Sequence, residues 1–362
     1  MLMKEHDDIS PAYEQIRDTP ICFIVGMGRS GTTLLTNILN ANDQVISVPE
    51  NNFVLFAKAL MHREYQDKQE LFAAFKETLS INHNHVFSVW DPNLDAMEQA
   101  QRGFVQMDYA TLCKLAYLST RNTSAAGVRA IVDKNPVYSL FVGDLIEIFP
   151  DAKFIILTRD YRDNIASRRK YTGGIVSSTL YNLADTWRNY YKQIEKWQSR
   201  FPGKFMYLRY EDLVSQTGTE IHRICGFIDI PVQENMFHPE KNLGTFSELF
   251  NVEIDARAKA RINEMHGRLT QAIDVTKVNS WGAAFTAREV EVLETICGET
   301  GLKYGYMPTR QVSAVKRSLI CLQWYLAMPL FIALNKGYHW FYYKSPLKIR
   351  AIVLGKKAKR PN

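Results

Sequence analysis

The 362-residue sequence has few cysteines and no long uninterrupted apolar run. Its cysteines are odd in number, scattered and mostly inside apolar segments: Cys22, Cys113, Cys225, Cys297 and Cys321. We therefore expect buried thiols in a reducing compartment and not a disulfide framework. The amino-terminal residues lack the apolar core of a signal peptide and carry early acids, which favours a cytoplasmic protein.

The end of the chain lacks acidic residues. Residues 310–362 contain eleven lysines and arginines and no aspartate or glutamate, whereas residues 1–309 contain 33 basic and 38 acidic residues. The longest apolar stretch of this tail, residues 319–334, includes a proline and is shorter than the ~20 residues that span a bilayer. The composition predicts a segment in the membrane interface, drawn to anionic lipid, or a carboxyl-terminal helix packed on the domain. Nucleic-acid binding is not expected, because no recognition motif accompanies the tail and the rest of the chain is acidic.

A glycine-rich loop near the amino terminus lacks the lysine of ATP- and GTP-binding loops. Gly26 and Gly31 have the spacing of the motif G-x-x-x-x-G-K-[ST], but Thr32 occupies the lysine position and Arg29 lies inside the loop. The preceding residues 21–25 are apolar, as in a buried parallel strand, and the following residues have the apolar spacing of a helix. Such a unit directs backbone N–H groups and a helix dipole at one anion, here shorter than a triphosphate.

A second strand-and-helix pattern occupies residues 152–169. Arg159 falls at the carboxyl end of the predicted strand, where ligands bind in open parallel sheets. Asp160 is a candidate N-cap, and Ser167 lies two turns further along the helix. An arginine at this position either binds an anion or pairs with a buried carboxylate.

Together the two segments resemble the sulfotransferases that use 3′-phosphoadenosine 5′-phosphosulfate (PAPS). The resemblance covers residues 20–306 and looks closest to the branch of tyrosylprotein sulfotransferases and bacterial glycan or lipid sulfotransferases. It implies that the loop holds the 5′-phosphosulfate through Gly28, Arg29, Ser30, Gly31, Thr32 and Thr33. It also implies that Arg159 and Ser167 bind the 3′-phosphate, together with one of Arg168, Arg169 and Lys170. Further cofactor contacts implied by the resemblance are Tyr210, Lys277 and Asn279.

The resemblance also implies the catalytic groups. Glu50, after a short predicted strand, matches the general base of the tyrosylprotein branch, since an acceptor hydroxyl must lose its proton as it attacks sulfur. Lys134 lies in a D-K-x-P turn and, with Arg29, would offset charge on the departing phosphate. His83 and His85 are rival bases, but the polar stretch around them favours a surface loop. The two histidines are also too few and too close to indicate a metal site.

The sequence therefore predicts an α/β protein with a P-loop-like parallel sheet flanked by helices. Residues 1–309 would form the sulfotransferase domain, with a helical cap at about 53–120, and residues 310–362 a basic extension. The predicted reaction moves a sulfuryl group from PAPS to a hydroxyl acceptor, a glycan or lipid-linked saccharide, without a metal. The predicted location is cytoplasmic, peripheral on the inner face of the plasma membrane. Alternatives are a nucleotide-dependent phosphotransferase and a non-catalytic, membrane-associated nucleotide-binding protein.

Overall fold

The computed structural model describes residues 11–48, 50–82, 92–104, 106–119, 127–171, 179–239 and 274–358. Within these ranges, five strands form one sheet: β1 (Ile21–Val25), β2 (Val45–Val48), β3 (Ala130–Lys134), β4 (Lys153–Thr158) and β5 (Phe205–Arg209). The spatial order is β2-β3-β1-β4-β5, and every pairing is parallel. The predicted parallel α/β architecture is confirmed.

Helices flank this sheet on both sides. The described α-helices are α1 (Pro11–Asp18), α2 (Thr32–Asn40), α3 (Phe53–Phe56), α4 (Lys68–Asn82), α5 (Leu94–Gln101), α6 (Tyr109–Leu118), α7 (Val142–Ile148), α8 (Tyr161–Tyr171), α9 (Leu180–Gln198), α10 (Tyr210–Ser215), α11 (Thr217–Ile228), α12 (Ala287–Lys303), α13 (Ala314–Ala327), α14 (Pro329–Tyr343) and α15 (Leu347–Ala358). Helices α3 to α6 occupy the region predicted as a helical cap. Lys277 and Asn279 lie in the segment 270–281, the late loop, whose first residues, 270–273, lie outside the described residues, as do His83 and His85.

The sheet is buried on both faces, which explains why its strands are continuously apolar. Phe23 and Ile156 belong to one core, whereas Ile24 and Ile155 belong to the other. Successive residues of a strand point to opposite faces, so strands between two helical layers need apolar side chains at every position. Because all strands run in the same direction, their carboxyl ends meet at a single edge.

The cysteines follow the prediction with one exception. Cys22, Cys113, Cys225 and Cys297 are buried, whereas Cys321 is exposed on α13. Burial raises the pKa of the Cys22 thiol to about 12, which keeps it protonated and unreactive. The expectation of a buried thiol is wrong for Cys321, because the apolar sequence around it lies on a helix with an exposed side.

The carboxyl-terminal helices pack on the domain through one side. Ile320, Met328 and Leu354 are buried, and so is the guanidinium of Arg350. Arg350 Nη1 donates to the carbonyls of Phe56 in α3, at 2.6 Å, and Tyr342 in α14, at 2.8 Å. Burial lowers the pKa of Arg350 to about 10. In the described part of the chain no single helix is long and apolar enough to cross a membrane; Ala314–Ala327 and Phe331–Tyr343, bent by 47°, pass that test of length and composition only as a pair.

Candidate active site

The carboxyl end of every described strand carries residues that the sequence predicted for the site. The glycine-rich loop follows β1, Glu50 follows β2, and Lys134 is the last residue of β3. Arg159 follows β4, and Tyr210 follows β5 as the first residue of α10. A parallel sheet thus brings residues from distant parts of the chain to one edge.

The loop between β1 and α2 has the backbone geometry of an anion site. Arg29 and Gly31 adopt left-handed conformations, with φ values of 72° and 92°. Gly31 is the N-cap of α2, and no described side chain caps this helix end. The first N–H groups of an α-helix have no partners within the helix and lie at the positive end of its dipole. The loop therefore directs donors and partial positive charge at the space in front of α2.

Buried hydroxyl groups hold the start of this loop. The N–H of Gly26 donates to Ser139 Oγ at 2.8 Å, and the N–H of Met27 donates to Tyr191 Oη at 3.3 Å. Tyr191 in turn donates to the carbonyl of Leu157 at 2.9 Å. Ser139 and Tyr191 were missed by sequence reasoning, because they lie 113 and 164 residues from their partners and no local motif marks them.

Asn164 of α8 holds the middle of the loop and was also missed. Its Nδ2 donates to the carbonyl of Gly28 at 2.9 Å and to Ser30 Oγ at 3.0 Å. Ser30 is completely buried, so its hydroxyl supports the loop from inside. A polar residue one helical turn after Asp160, facing the strand tips, is the sequence signal that could have identified Asn164.

Arg159 connects the loop to the late segment of the chain. Its Nη1 donates to the carbonyl of Arg29 at 3.2 Å and its Nη2 to the carbonyl of Lys277 at 2.8 Å. The guanidinium also lies 4.6 Å from the centre of the Tyr210 ring. Arg29 Nε donates to Ser167 Oγ at 3.3 Å. The residues predicted for the two ends of the nucleotide therefore contact one another through Arg29.

The late loop contacts Arg159 through its backbone, and the cofactor contacts of Lys277 and Asn279 stay predictions. Lys277 Nζ pairs with Asp274 at 3.3 Å, so it is the backbone carbonyl of Lys277 that contacts Arg159. Asn279 has a left-handed backbone and lines a small cavity of about 280 Å³. Ser280 Oγ donates to Asp163 Oδ1 at 3.0 Å, which fastens the loop to α8.

A buried ion network fixes the turn after β4. Asp160 accepts from the N–H of Arg162 at 2.8 Å, which confirms its prediction as the N-cap of α8. Arg162 also contacts both carboxylate oxygens of Asp160 and donates to Glu294 of α12 at 3.0 Å. Removing one partner of a buried, hydrogen-bonded ion pair is costly, so this network holds Arg159 in place.

The three basic residues near the end of α8 have different surroundings. The guanidinium of Arg168 lies against the carbonyl of Leu183, and burial lowers its pKa. Arg169 pairs with Glu289 at 2.8 Å, and Lys170 is exposed. The contribution of each to a 3′-phosphate stays a prediction.

Glu50 and Lys134 form an ion pair across neighbouring strand ends. Lys134 Nζ lies 2.5 Å from Glu50 Oε1; the lysine side chain is 2% exposed and the glutamate side chain 42%. The register of β2 with β3 sets Val48 opposite Asp133 and so brings Glu50 beside Lys134. Asn135 Nδ2 also donates to the carbonyl of Asn51. A carboxylate that solvent can reach is thus held by a buried ammonium group.

Asp133 lies behind this pair and predicts a pH-dependent stability. Burial raises the pKa of its carboxyl to about 7, against the opposing effects of the Tyr117 hydrogen bond and the Lys134 charge. The folded protein holds this proton to higher pH than the unfolded chain does, so this group's contribution to stability falls as pH rises from about 4 to above 7. Asparagine does not titrate, so Asp133→Asn lacks this loss. We expect the free energy of unfolding of the variant minus that of wild type to rise by roughly 2 to 3 kcal/mol from pH 5 to pH 8. Urea titrations at both pH values test this; an unchanged difference would contradict it.

Gly31 is a loop position at which a side chain would be disruptive. Its left-handed φ is unfavourable for other residues, and an added Cβ would lie 2.5 Å from the Tyr210 ring. We expect Gly31→Ala to lower the free energy of unfolding by about 2 kcal/mol or more. Gly28→Ala is the matched control, since its Cβ would meet only Pro136, at 3.9 Å. Equal unfolding midpoints for the two variants in urea would refute the proposed strain.

Known proteins share this sequence pattern. Residues 20–234 match the Sulfotransferase family. The protein-tyrosine sulfotransferase of Drosophila melanogaster is 26% identical over 240 residues, covering 65% of this chain but only 43% of the relative. A putative protein-tyrosine sulfotransferase of Caenorhabditis briggsae is 22% identical over 279 residues, covering 76% and 85%. Nodulation protein NoeE of Sinorhizobium fredii is 28% identical over 158 residues, covering 43% and 32%.

Among solved structures, the sulfotransferase domain from the curacin biosynthetic pathway has a TM-score of 0.49 at 17% identity, covering 78% of this chain and 97% of that domain. A mouse sulfotransferase complexed with PAP has a TM-score of 0.39 at 13% identity, covering 85% and 88%. The family match extends over more than half of the chain and includes the loop, Glu50, Lys134, Arg159 and Tyr210. This confirms the predicted resemblance: the chain belongs to the Sulfotransferase family.

Proposed function

We propose that this protein transfers a sulfuryl group from PAPS to a hydroxyl acceptor. The observation that carries the proposal is the set of strand ends: a glycine-rich loop whose Arg29 is bonded to Ser167, Arg159 beside that loop, and the pair of Glu50 and Lys134 lie along one edge of the sheet. Membership of the family supports sulfuryl transfer in general. Each group matches a different requirement of the reaction.

The residues around Arg29 suit a nucleotide with anionic groups at both ends. The loop supplies backbone N–H groups and the end of the α2 dipole for the 5′-phosphosulfate. Arg159 and Ser167 would hold the 3′-phosphate, and the planar guanidinium of arginine matches phosphate oxygens well. Tyr210, which already stacks on Arg159, lies beside the same site.

Glu50 and Lys134 would carry out the chemistry of the transfer. The acceptor oxygen attacks sulfur, the bond between sulfur and the bridging phosphate oxygen breaks, and the hydroxyl proton passes to Glu50. Lys134 and Arg29 offset the negative charge that develops on the departing phosphate. The products are a sulfate ester and adenosine 3′,5′-bisphosphate. The partial exposure of Glu50 leaves it open to an acceptor from solvent.

The proposed acceptor is a glycan or a lipid-linked saccharide. The support is the apolar and basic surface of the carboxyl-terminal helices, one of which is joined through Arg350 to Phe56 of α3, six residues after Glu50. Two of the relatives described above are named protein-tyrosine sulfotransferases, so a peptide that contains tyrosine is the comparison substrate. Sulfate transfer to the peptide but not to lipid-linked saccharides would overturn this choice of acceptor.

Calorimetric titration tests the cofactor directly. We expect the purified protein to bind adenosine 3′,5′-bisphosphate more tightly than adenosine 5′-phosphate or ATP with Mg²⁺, because only the bisphosphate engages both anion sites. Preference for ATP with Mg²⁺ would instead favour a kinase-like phosphotransferase, against which Thr32 in the lysine position argues. Binding of the bisphosphate without transfer to any acceptor would favour a non-catalytic nucleotide-binding protein.

A further inference from the structure

The carboxyl-terminal helices α13 to α15 expose an unusual amount of apolar surface. Of the 17 large apolar side chains that are exposed among the described residues, 12 lie in these three helices. The most exposed are Val315, Tyr325 and Leu326, at 72%, 76% and 69%. Scattered apolar side chains are normal on protein surfaces, but a concentration in one segment indicates an interaction site.

The apolar side chains of α13 and α14 surround an open groove. This groove has a volume of about 500 Å³ and lies where the two helices meet. Leu322, Trp324, Tyr325, Met328 and Ile332 line it. Trp340 and Tyr338 lie further along α14, 54% and 41% exposed. Aromatic rings with a polar edge favour the boundary between hydrocarbon and lipid headgroups.

The charged side chains of the same helices carry a single sign. Arg317, Lys336, Lys344 and Lys348 are exposed, and the sequence has no aspartate or glutamate after residue 309. This charge matches an anionic lipid surface, which attracts basic segments close to a membrane. A second copy packed face to face would set cations against cations without any acid to pair them. The charge therefore favours a bilayer over self-association.

The opposite side of these helices is anchored close to the proposed acceptor site. The Tyr343 ring lies 4.8 Å from that of Phe141, centre to centre, and Arg350 is bonded to α3. The carbonyl that Arg350 contacts belongs to Phe56, six residues after Glu50. A surface that docks on α13 to α15 would therefore lie near Glu50.

We propose that α13 to α15 form a docking surface for an anionic lipid bilayer, with the apolar side chains in the interface and the basic ones at the headgroups. The segment lies in the plane of the interface and does not cross the membrane. The inner face of the plasma membrane, where anionic lipid gives a negative surface potential, is the proposed location. This arrangement would direct Glu50 towards acceptors in the membrane, an inference that rests on the proposed sulfuryl transfer.

Co-sedimentation of the full chain with lipid vesicles tests the docking surface. We expect binding to phosphatidylglycerol-containing vesicles that exceeds binding to pure phosphatidylcholine vesicles and weakens with added salt. The triple variant Lys336→Glu, Lys344→Glu, Lys348→Glu should bind the anionic vesicles at least about tenfold more weakly. Its matched control carries the same charge change on exposed arginines elsewhere: Arg63→Glu, Arg102→Glu, Arg288→Glu.

The apolar contribution has its own pair of variants. Leu322→Glu, in the groove, should weaken vesicle binding, whereas Leu302→Glu, similarly exposed on α12, should not. Unchanged affinity for adenosine 3′,5′-bisphosphate verifies that each variant is folded and separates this test from that of the proposed reaction. Absence of binding to anionic vesicles, or equal losses in the tail variants and their controls, would overturn the proposal. So would a dimer in light scattering that Leu322→Glu dissociates, since the face would then be covered by a second copy.

Discussion

Replacement of Glu50 by glutamine is expected to lower the turnover of sulfuryl transfer by roughly 10²- to 10⁴-fold, the usual contribution of a general base. Glutamine keeps the shape of the side chain and an oxygen that can accept from Lys134, whose ammonium group is buried. It cannot accept the proton of an attacking hydroxyl. The affinity for adenosine 3′,5′-bisphosphate should be unchanged, because Glu50 follows β2, whereas the residues proposed to bind the phosphates of the nucleotide follow β1 and β4.

The measurement is steady-state transfer from PAPS together with calorimetric titration of the bisphosphate product. Glu64→Gln is the control, since Glu64 is an exposed acid in the same part of the chain. Turnover within a factor of two or three of wild type would exclude Glu50 as the base. In that case the histidines at positions 83 and 85 would be the next residues to replace.

Replacement of Arg159 by methionine is expected to weaken binding of adenosine 3′,5′-bisphosphate by roughly 100-fold, the effect of losing hydrogen bonds to a charged group. Binding of adenosine 5′-phosphate should change far less, because it lacks the 3′-phosphate that Arg159 would hold. Methionine preserves most of the apolar contact with the Tyr210 ring. Ser167→Ala should produce the same selective loss with a smaller magnitude, since it removes one neutral donor.

Comparison of the two nucleotides separates a direct role of Arg159 from a supporting one. Arg159 also donates to the carbonyls of Arg29 and Lys277, so its removal could loosen the loop as a whole. Looser packing would weaken both nucleotides alike, and that result would assign Arg159 a structural role. Arg63→Met serves as the control for the loss of one positive charge.

The local features of this protein were predictable from its sequence. The loop between β1 and α2 is encoded within one short segment, because apolar periodicity, glycine spacing and the missing lysine are all local properties. The strand end at Arg159 and the N-cap at Asp160 were predictable for the same reason. Each of these predictions depends only on residues that are close in the sequence, so no tertiary contact is needed to make it.

The sequence by itself determined which segment has the pattern of an anion-binding loop, which strands are buried and where the basic tail begins. Only the tertiary structure decided which residues support that loop. Glu50 and Lys134 are 84 residues apart, and strand register alone makes them an ion pair. Ser139 and Tyr191 hold the loop from still greater distances, and Arg350 joins the tail to α3 across 294 residues. The physical reason is that a hydrogen bond between distant residues depends on how the helices and the sheet pack. The sequence around either partner does not predict that packing.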